Sequence, residues 1–338
     1  MNLPKFEYLR PTSVEEAAQL LKECGPRARL VAGGTDLFPR MKYGLACPEV
    51  LVGLKGIPIK APTLNQNGDL HLDALMSLAD VARSPVMAGR APLLKSAALS
   101  VGSNQIRHMG TLGGNLCLEN RCPYYNQNHT FQFMEPCFKR GGDRCYLMPK
   151  GKKCWAAFSA DTAPALISLE ALVTIKGPET NRQVPLEKLY TADALKPLDI
   201  TGHEVVTEVI IPGQRSRQGT AFVKFSLREG LEFAALNVAV VLNVEEDGVS
   251  CREARITVGA ISAAPMRMFK AEEAVIGQRL SKGLLDQVAQ MGAAGVRLCP
   301  RLGFSALYLK ECLRVQTCRA LSLAAQRVSR HKGKKTKQ

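Results

Sequence analysis

A chain of 338 residues is longer than one ordinary core, so two or three domains are expected. With 46% hydrophobic and 22% charged residues it is neither disordered nor fibrous, and no apolar run reaches the roughly 18 residues of a membrane span. The net charge of +15 raises nucleic acid as a partner. However, Arg330, Lys332, Lys334, Lys335 and Lys337 put part of it in a basic tail at residues 331–338 and just before, and no helix-turn-helix spacing, aromatic RNA platform or arginine stripe goes with the rest.

The opening Met1-Asn2-Leu3-Pro4-Lys5-Phe6-Glu7-Tyr8 lacks the order of a secretory signal, which points to the cytoplasm. Ser13-Val14-Glu15-Glu16 is a capping box that predicts a helix, ended by Gly25 and Pro26. A short strand over residues 29–32 runs into Gly33-Gly34-Thr35-Asp36, and a helix over 37–43 leads to a strand over 49–54. Residues 1–56 thus read as a small α/β unit with a glycine turn after its first strand. Such a turn lets backbone amides approach an anion, although one Gly-Gly pair is more often an ordinary turn. The dinucleotide and P-loop fingerprints are absent.

Residues 57–215 read as a second α/β layer. It has strands over 69–74, 172–175 and 205–211, helices over 92–99 and 162–171, and a helix capped by Ser77. The run Gln105-Ile106-Arg107-His108-Met109-Gly110-Thr111-Leu112-Gly113-Gly114-Asn115-Leu116 forms a small-residue turn. A boundary is expected between Gln214 and Arg217. Beyond it, at residues 218–330, alternation over 222–228, 237–244 and 254–258 predicts a β-meander. Helices are expected to follow over 266–276, 284–291 and 305–327.

Eleven cysteines in a reducing compartment argue for metal or redox work rather than disulfides. Cys24, Cys47, Cys251, Cys299, Cys312 and Cys318 are scattered and read as packing residues. Cys122, Cys137, Cys145 and Cys154 are separated by fourteen, seven and eight residues. The close cysteine pairs of structural zinc sites are missing, and four single thiolates from an open loop are compatible with an iron–sulfur cluster. Arg121, Lys139, Arg140, Arg144, Lys150, Lys152 and Lys153 outnumber Glu135 and Asp143 there. That excess suits an anionic cluster and an acidic electron carrier docking beside it.

Ala32-Gly33-Gly34-Thr35-Asp36-Leu37, followed by Ile106-Arg107 and Thr111-Leu112-Gly113-Gly114-Asn115-Leu116, resembles the FAD-binding subunit of molybdenum hydroxylases. The likeness continues through Asp161, Pro164-Ala165-Leu166, Gly202, Glu204-Val205-Val206 with Pro212, and Phe222, Lys224 and Arg228. Typical members pass from the Gly-Gly-Asn turn to the matching aspartate over a much shorter segment. Here residues 118–157 are inserted, with all four cysteines inside. In this the chain is most similar to the β subunits of 4-hydroxybenzoyl-CoA reductases, whose insertion carries an additional [4Fe-4S] cluster. Cys117 lies before the insertion and reads as packing; His108, where many relatives have asparagine, receives no role.

The resemblance implies an α+β fold: a two-part FAD-binding domain of the p-cresol methylhydroxylase type, then a carbon monoxide dehydrogenase flavoprotein-like C-terminal α+β domain. It implies that Arg29, Leu30, Val31, Ala32, Gly33, Gly34, Thr35 and Asp36 wrap the FAD pyrophosphate, and that Thr111, Gly113, Gly114 and Asn115 add phosphate and ribityl contacts. Val101 would touch the nucleotide, Asp161 a polar edge, and Val206 and Lys224 the ring neighbourhood, while Cys122, Cys137, Cys145 and Cys154 would ligate the cluster. The implied partners are a molybdopterin-binding large subunit, a small subunit with two [2Fe-2S] clusters and a ferredoxin-like donor, in a heterohexamer. The implied activity is electron relay for the reductive dehydroxylation of an aromatic acyl-CoA in aromatic degradation, with no catalytic side chain in this subunit. An oxidative molybdenum hydroxylase subunit is the alternative, and a zinc-stabilised nucleic-acid-binding protein stands behind both.

Overall fold

Three separate sheets organise the chain in a computed structural model that describes residues 2–129, 134–213, 217–228 and 230–335, with side chains to Val328. The boundary expected between Gln214 and Arg217 falls mostly outside these residues, as do part of the inserted segment and the end of the basic tail.

The first sheet is parallel, in the order β1 (Glu7–Leu9), β3 (Val50–Gly53), β2 (Ala28–Val31). Helix α1 (Val14–Cys24) covers it with Ala17, Ala18 and Leu21. Ser13 caps α1 by accepting from the Glu16 amide at 3.1 Å. The Glu16 carboxylate reaches past Ser13 and accepts from the Thr12 amide at 2.7 Å, so the box closes one residue further out than predicted. Gly25 ends the helix at φ 58°. Between β2 and β3, α2 (Leu37–Lys42) begins directly after the glycine turn. That turn therefore lies at the carboxyl end of a parallel strand, where open α/β sheets bind ligands.

The second sheet has the order β4 (Thr63–Leu64), β5 (Leu70–Asp73), β8 (Val205–Ile211), β6 (Leu172–Lys176), β7 (Asn181–Pro185). Packed around it are α3 (Leu78–Arg83), α4 (Pro85–Arg90), α5 (Pro92–Leu99), α6 (Asn104–Met109), α7 (Leu112–Leu116) and α8 (Thr162–Ser168). The run from Gln105 to Leu116, expected as a turn, is two short helices. Ser103 caps α6, and the Thr111 hydroxyl caps α7 by accepting from Gly114.

The third sheet is antiparallel, in the order β12 (Met266–Arg267), β11 (Cys251–Gly259), β10 (Leu236–Val244), β9 (Gln218–Phe225). Helices α9 (Phe269–Val275), α10 (Lys282–Ala294) and α11 (Ala306–Lys335) follow. The helix expected over 266–276 is shorter, because Met266 and Arg267 pair with Val258 and Thr257 as an edge strand. Strand β10 is buried along its whole length. Side chains alternate across a strand, so Ala239 and Val241 enter the core of the second sheet. Leu236, Val238, Val240 and Leu242 enter the core shared with α10 and α11. One strand thus joins the unit of the second sheet to the C-terminal unit. Among the described residues no helix is long and apolar enough to cross a membrane.

Candidate cofactor site

An open cleft of about 1210 Å³ runs between the turn after β2, the segment from α6 to α7, the start of α8 and the loop between β9 and β10. Val31, Ala32, Gly33, Gly34, Thr35, Asp36, Val101, Thr111, Gly114, Asn115 and Asp161 line it. These residues come from three separate stretches of sequence. Two glycines permit the closure. A Cβ on Gly33 would overlap the Met109 carbonyl, and Gly34 takes φ 69°, a left-handed conformation that suits glycine, against the Phe38 ring. The amides of Gly34, Thr35 and Asp36 donate to no protein acceptor among the described residues. A run of free amides beside such a cleft fits a pyrophosphate.

Five predicted contact residues stand elsewhere. Arg29 turns its guanidinium onto the carbonyls of Ala28 at 2.7 Å and Pro26 at 3.1 Å. Leu30 packs on the core under α1. Gly113 donates its amide to the Ala74 carbonyl at 2.8 Å and presses on Ala74, which fits the α7 turn against the end of β5. Val206 is buried in the second core. Lys224 lies behind the cleft wall, donating to Asp161 at 2.7 Å and to the carbonyls of Ser100 at 2.8 Å and Glu232 at 2.9 Å.

Asp161 and Lys224 form a nearly solvent-free ion pair, with side-chain exposures of 5% and 11%. Burial pushes the Asp161 carboxyl above its usual range, while the Lys224 ammonium and the Asn237 amide, 2.8 Å away, pull it back. Lys224→Met should destabilise the fold by about 3–5 kcal/mol in denaturant unfolding, since it leaves a buried carboxylate without its cation. The deficit should shrink at lower pH, where a protonated Asp161 needs no cation, and the double variant with Asp161→Leu should recover most of it. A single variant as stable as the parent at neutral pH would show the pair to be dispensable.

Arg121, Leu231, Glu232 and Phe233 also line the cleft and were not singled out as contact residues. Arg121 pairs with Asp36, and its guanidinium lies 4.8 Å from the centre of the Phe233 ring. Burial lowers this guanidinium to about 10. No local pattern marks these residues, because they reach the cleft from two distant loops. Cys117, read as packing, lines the cleft as well, with its thiol pushed up to about 12 by burial.

The inserted segment is closed at its base. Arg121 and Ala157 exchange backbone hydrogen bonds of 2.7 and 2.9 Å, and the buried Asn120 amide donates to the carbonyls of Ala156 at 3.0 Å and Ala263 at 3.1 Å. Beyond this base, Cys122, Cys137, Cys145 and Cys154 line one small pocket, together with Tyr125, Lys139 and Trp155. Burial pushes the Cys122 thiol up to about 11, against hydrogen bonds from the Tyr124 and Tyr125 amides. Burial likewise raises Cys154, against the Ala156 amide and the Lys139 charge. Lys139 is held inside by Glu119 at 2.7 Å and the Ala194 carbonyl at 2.6 Å.

The expected metal set needs a correction. Among the described residues no three His, Cys, Asp or Glu side chains converge as a single metal ion requires. Zn–S bonds of about 2.3 Å would hold the sulfurs close together, and these thiols surround a cavity without doing so. The four cysteines share one pocket, and backbone amides reach the thiols of Cys122 and Cys154.

A glycine-turn cleft with free amides, between an α/β layer and an α+β domain, is built to take a nucleotide cofactor. Residues 4–214 match the FAD binding domain in molybdopterin dehydrogenase, and residues 221–324 match the CO dehydrogenase flavoprotein C-terminal domain. The chain is 27% identical to the 6-hydroxypseudooxynicotine dehydrogenase complex subunit alpha of Paenarthrobacter nicotinovorans, over 97% of each chain. It is 27% identical to the carbon monoxide dehydrogenase medium chain of Hydrogenophaga pseudoflava, over 88% of each. A solved carbon monoxide dehydrogenase from Hydrogenophaga pseudoflava superposes with a TM-score of 0.79 at 26% identity, covering 97% of this chain and 99% of that one. The chain belongs to the FAD-binding medium-subunit family of the molybdenum hydroxylases, of the carbon monoxide dehydrogenase type.

Proposed function

We propose that this chain is the electron-relaying FAD subunit of a molybdenum enzyme complex and that it also holds a [4Fe-4S] cluster, as in the β subunits of 4-hydroxybenzoyl-CoA reductases. The observation that carries this reading is a junction: consecutive residues Arg121 and Cys122 line the flavin cleft and the thiol cavity respectively. Bound FAD supplies one- and two-electron chemistry, and a [4Fe-4S] cluster supplies single-electron storage; binding and tuning fall to the protein.

In this reading the turn of Gly33, Gly34, Thr35 and Asp36 gives amides to the pyrophosphate. Thr111, Gly114 and Asn115 line the opposite wall, and the Asn115 side-chain Oδ1 accepts from the buried Thr162 hydroxyl at 2.6 Å. Val101 faces the nucleotide, and Phe233 over Arg121 screens the cleft. Asp161, fixed by Lys224 and Asn237, offers a polar edge, so Lys224 acts by positioning Asp161. Cys122, Cys137, Cys145 and Cys154 hold the cluster, with Lys139 as a buried counter-charge. Exposed Arg140, Arg144, Lys150, Lys152 and Lys153 give the insertion a basic outer face, suited to an acidic, ferredoxin-like donor. A molybdopterin-binding large subunit and a small subunit with two [2Fe-2S] clusters complete the complex, which reductively dehydroxylates an aromatic acyl-CoA.

The second reading is an oxidative molybdenum hydroxylase whose flavin passes electrons outward. It is favoured by the names of the relatives, a dehydrogenase complex subunit and a dehydrogenase medium chain. Metal and flavin analysis of anaerobically purified protein separates the two. About four irons and one flavin per chain support the cluster-bearing subunit, whereas flavin with no iron leaves the oxidative reading standing. A colourless protein holding one zinc ends both. With co-expressed partner subunits, activity on 4-hydroxybenzoyl-CoA is expected in the first case only.

A further inference from the structure

The loop between α10 and α11 returns from the C-terminal domain to the thiol cavity. Arg297 lies 5.3 Å from the centre of the Trp155 ring, and the same loop carries the buried Cys299. Cys122 and Cys299 are the ionisable side chains that act electrostatically on Arg301. Its Nη1 is shielded from solvent and meets no acceptor among the described residues. An enclosed guanidinium nitrogen without an acceptor is costly, so its persistence here points to an anionic ligand.

The backbone around Arg301 is tightly determined. Arg301 and Phe304 exchange hydrogen bonds of 3.1 and 2.9 Å across Leu302 at φ 54° and Gly303 at φ 79°, a turn with both central residues left-handed. Leucine is disfavoured in that region and persists where its surroundings over-determine it. Phe304 supplies the anchor, stacked on Tyr308 at 5.1 Å and tilted against Phe225 at 5.7 Å. The turn thereby fixes Arg301 in the loop whose Arg297 lies over Trp155, a residue of the thiol pocket.

We propose that Arg301 is a positioning residue of the cluster site, a fixed cation brought from the C-terminal domain that compensates the anionic thiolate-ligated group and raises its reduction potential. The assignment rests on the reading of Cys122, Cys137, Cys145 and Cys154 as cluster ligands. Burial lowers the Arg301 guanidinium to about 10, which leaves it charged at neutral pH. The other nearby cations are less effective. Lys139 is engaged by Glu119 and the Ala194 carbonyl, and Arg144, Lys152, Lys153 and Arg297 are exposed, where solvent and salt screen them.

The test is an EPR-monitored redox titration of the anaerobically purified full chain, with iron and flavin counted on the same samples. Arg301→Gln should keep flavin and lower the reduced-to-oxidised cluster ratio about tenfold at fixed ambient potential, a displacement of about 59 mV for a one-electron couple. Arg301→Lys should restore most of the ratio. Loss of iron from the Gln variant with retention in the Lys variant also supports the assignment, since charge is then what holds the group. An unchanged ratio in Arg301→Gln, equal displacement in both variants, or iron loss from both overturns it. A parent protein without iron overturns the cluster reading itself, which is a distinct result from an iron-loaded parent with an indifferent Arg301.

Discussion

Gly33→Ala is expected to give a folded chain that no longer retains its flavin. The added methyl would occupy the position of the Met109 carbonyl oxygen, and neither backbone can yield cheaply. Gly33 continues from β2, which is locked in register against β3 by the pairing of Val31 with Gly53. Met109 ends α6, whose following Gly110 donates to the Ile106 carbonyl at 2.7 Å and accepts from the Leu78 amide at 2.9 Å. The turn and the α6 end must therefore move apart, and both are walls of the cleft. Overpacking of this kind costs about 1–3 kcal/mol. If most of that falls on the bound state, flavin affinity drops by about tenfold to a hundredfold. The measurement is the flavin-to-protein ratio after gel filtration, with a circular dichroism melt on the same sample. A parent-like ratio would remove the close approach of these two loops from the binding argument. A melt lowered as much as the Gly34→Ala melt, with flavin retained in both, would mean that the glycines serve the fold alone.

The parts of this fold that were legible in the sequence are those whose signal is local. The capping box at Ser13, the helix from Pro92, the strand from Val205 and the long final helix each carry their own punctuation or periodicity, and the structure has all four. The edge strand at Met266 was hidden because a short apolar run before a helix reads as part of it. The two helices around Gly110 were hidden because their stability comes from tertiary bonds, such as those from Leu112 to Met76 and from Gly113 to Ala74, which outweigh the poor helix propensity of glycine.

The same distinction governs the site. The glycine turn, Thr111, Asn115 and Asp161 belong to recognisable runs, and the fold gathers them along one cleft. Position within a run does not disclose direction, however. Arg29, Leu30 and Gly113 sit beside lining residues in sequence and turn away from the cleft in space. Arg121, Phe233 and Arg301 had no run to announce them. Their roles arise because the insertion base, the loop between β9 and β10 and the loop before α11 meet in space, and such meetings have no period.

Cys137→Ser carries the second large effect. Its thiol is buried in the cavity wall, and its carbonyl accepts from Arg140 at 2.8 Å and Gly142 at 3.0 Å. Phe138 donates to the Arg144 carbonyl at 2.9 Å, which brings the Cys137 turn against the segment holding Cys145. Serine keeps these backbone bonds and removes only the thiol, so the turn should survive, and on the proposed cluster reading the chain should lose most of its iron. Flavin should stay, because none of the residues lining the cleft lies between Cys122 and Cys154. The base of the insertion is held independently by Arg121, Ala157 and Asn120. Iron per chain and flavin per chain, measured together, make this a two-channel experiment. Iron lost with flavin kept identifies the insertion as a separate redox compartment that meets the cleft at its base, through Leu118 and Arg121. Loss of both would make the insertion a structural wall of the flavin site. Iron kept at the parent level would remove Cys137 from the ligand set, and with it the claim that four thiols around one cavity act together.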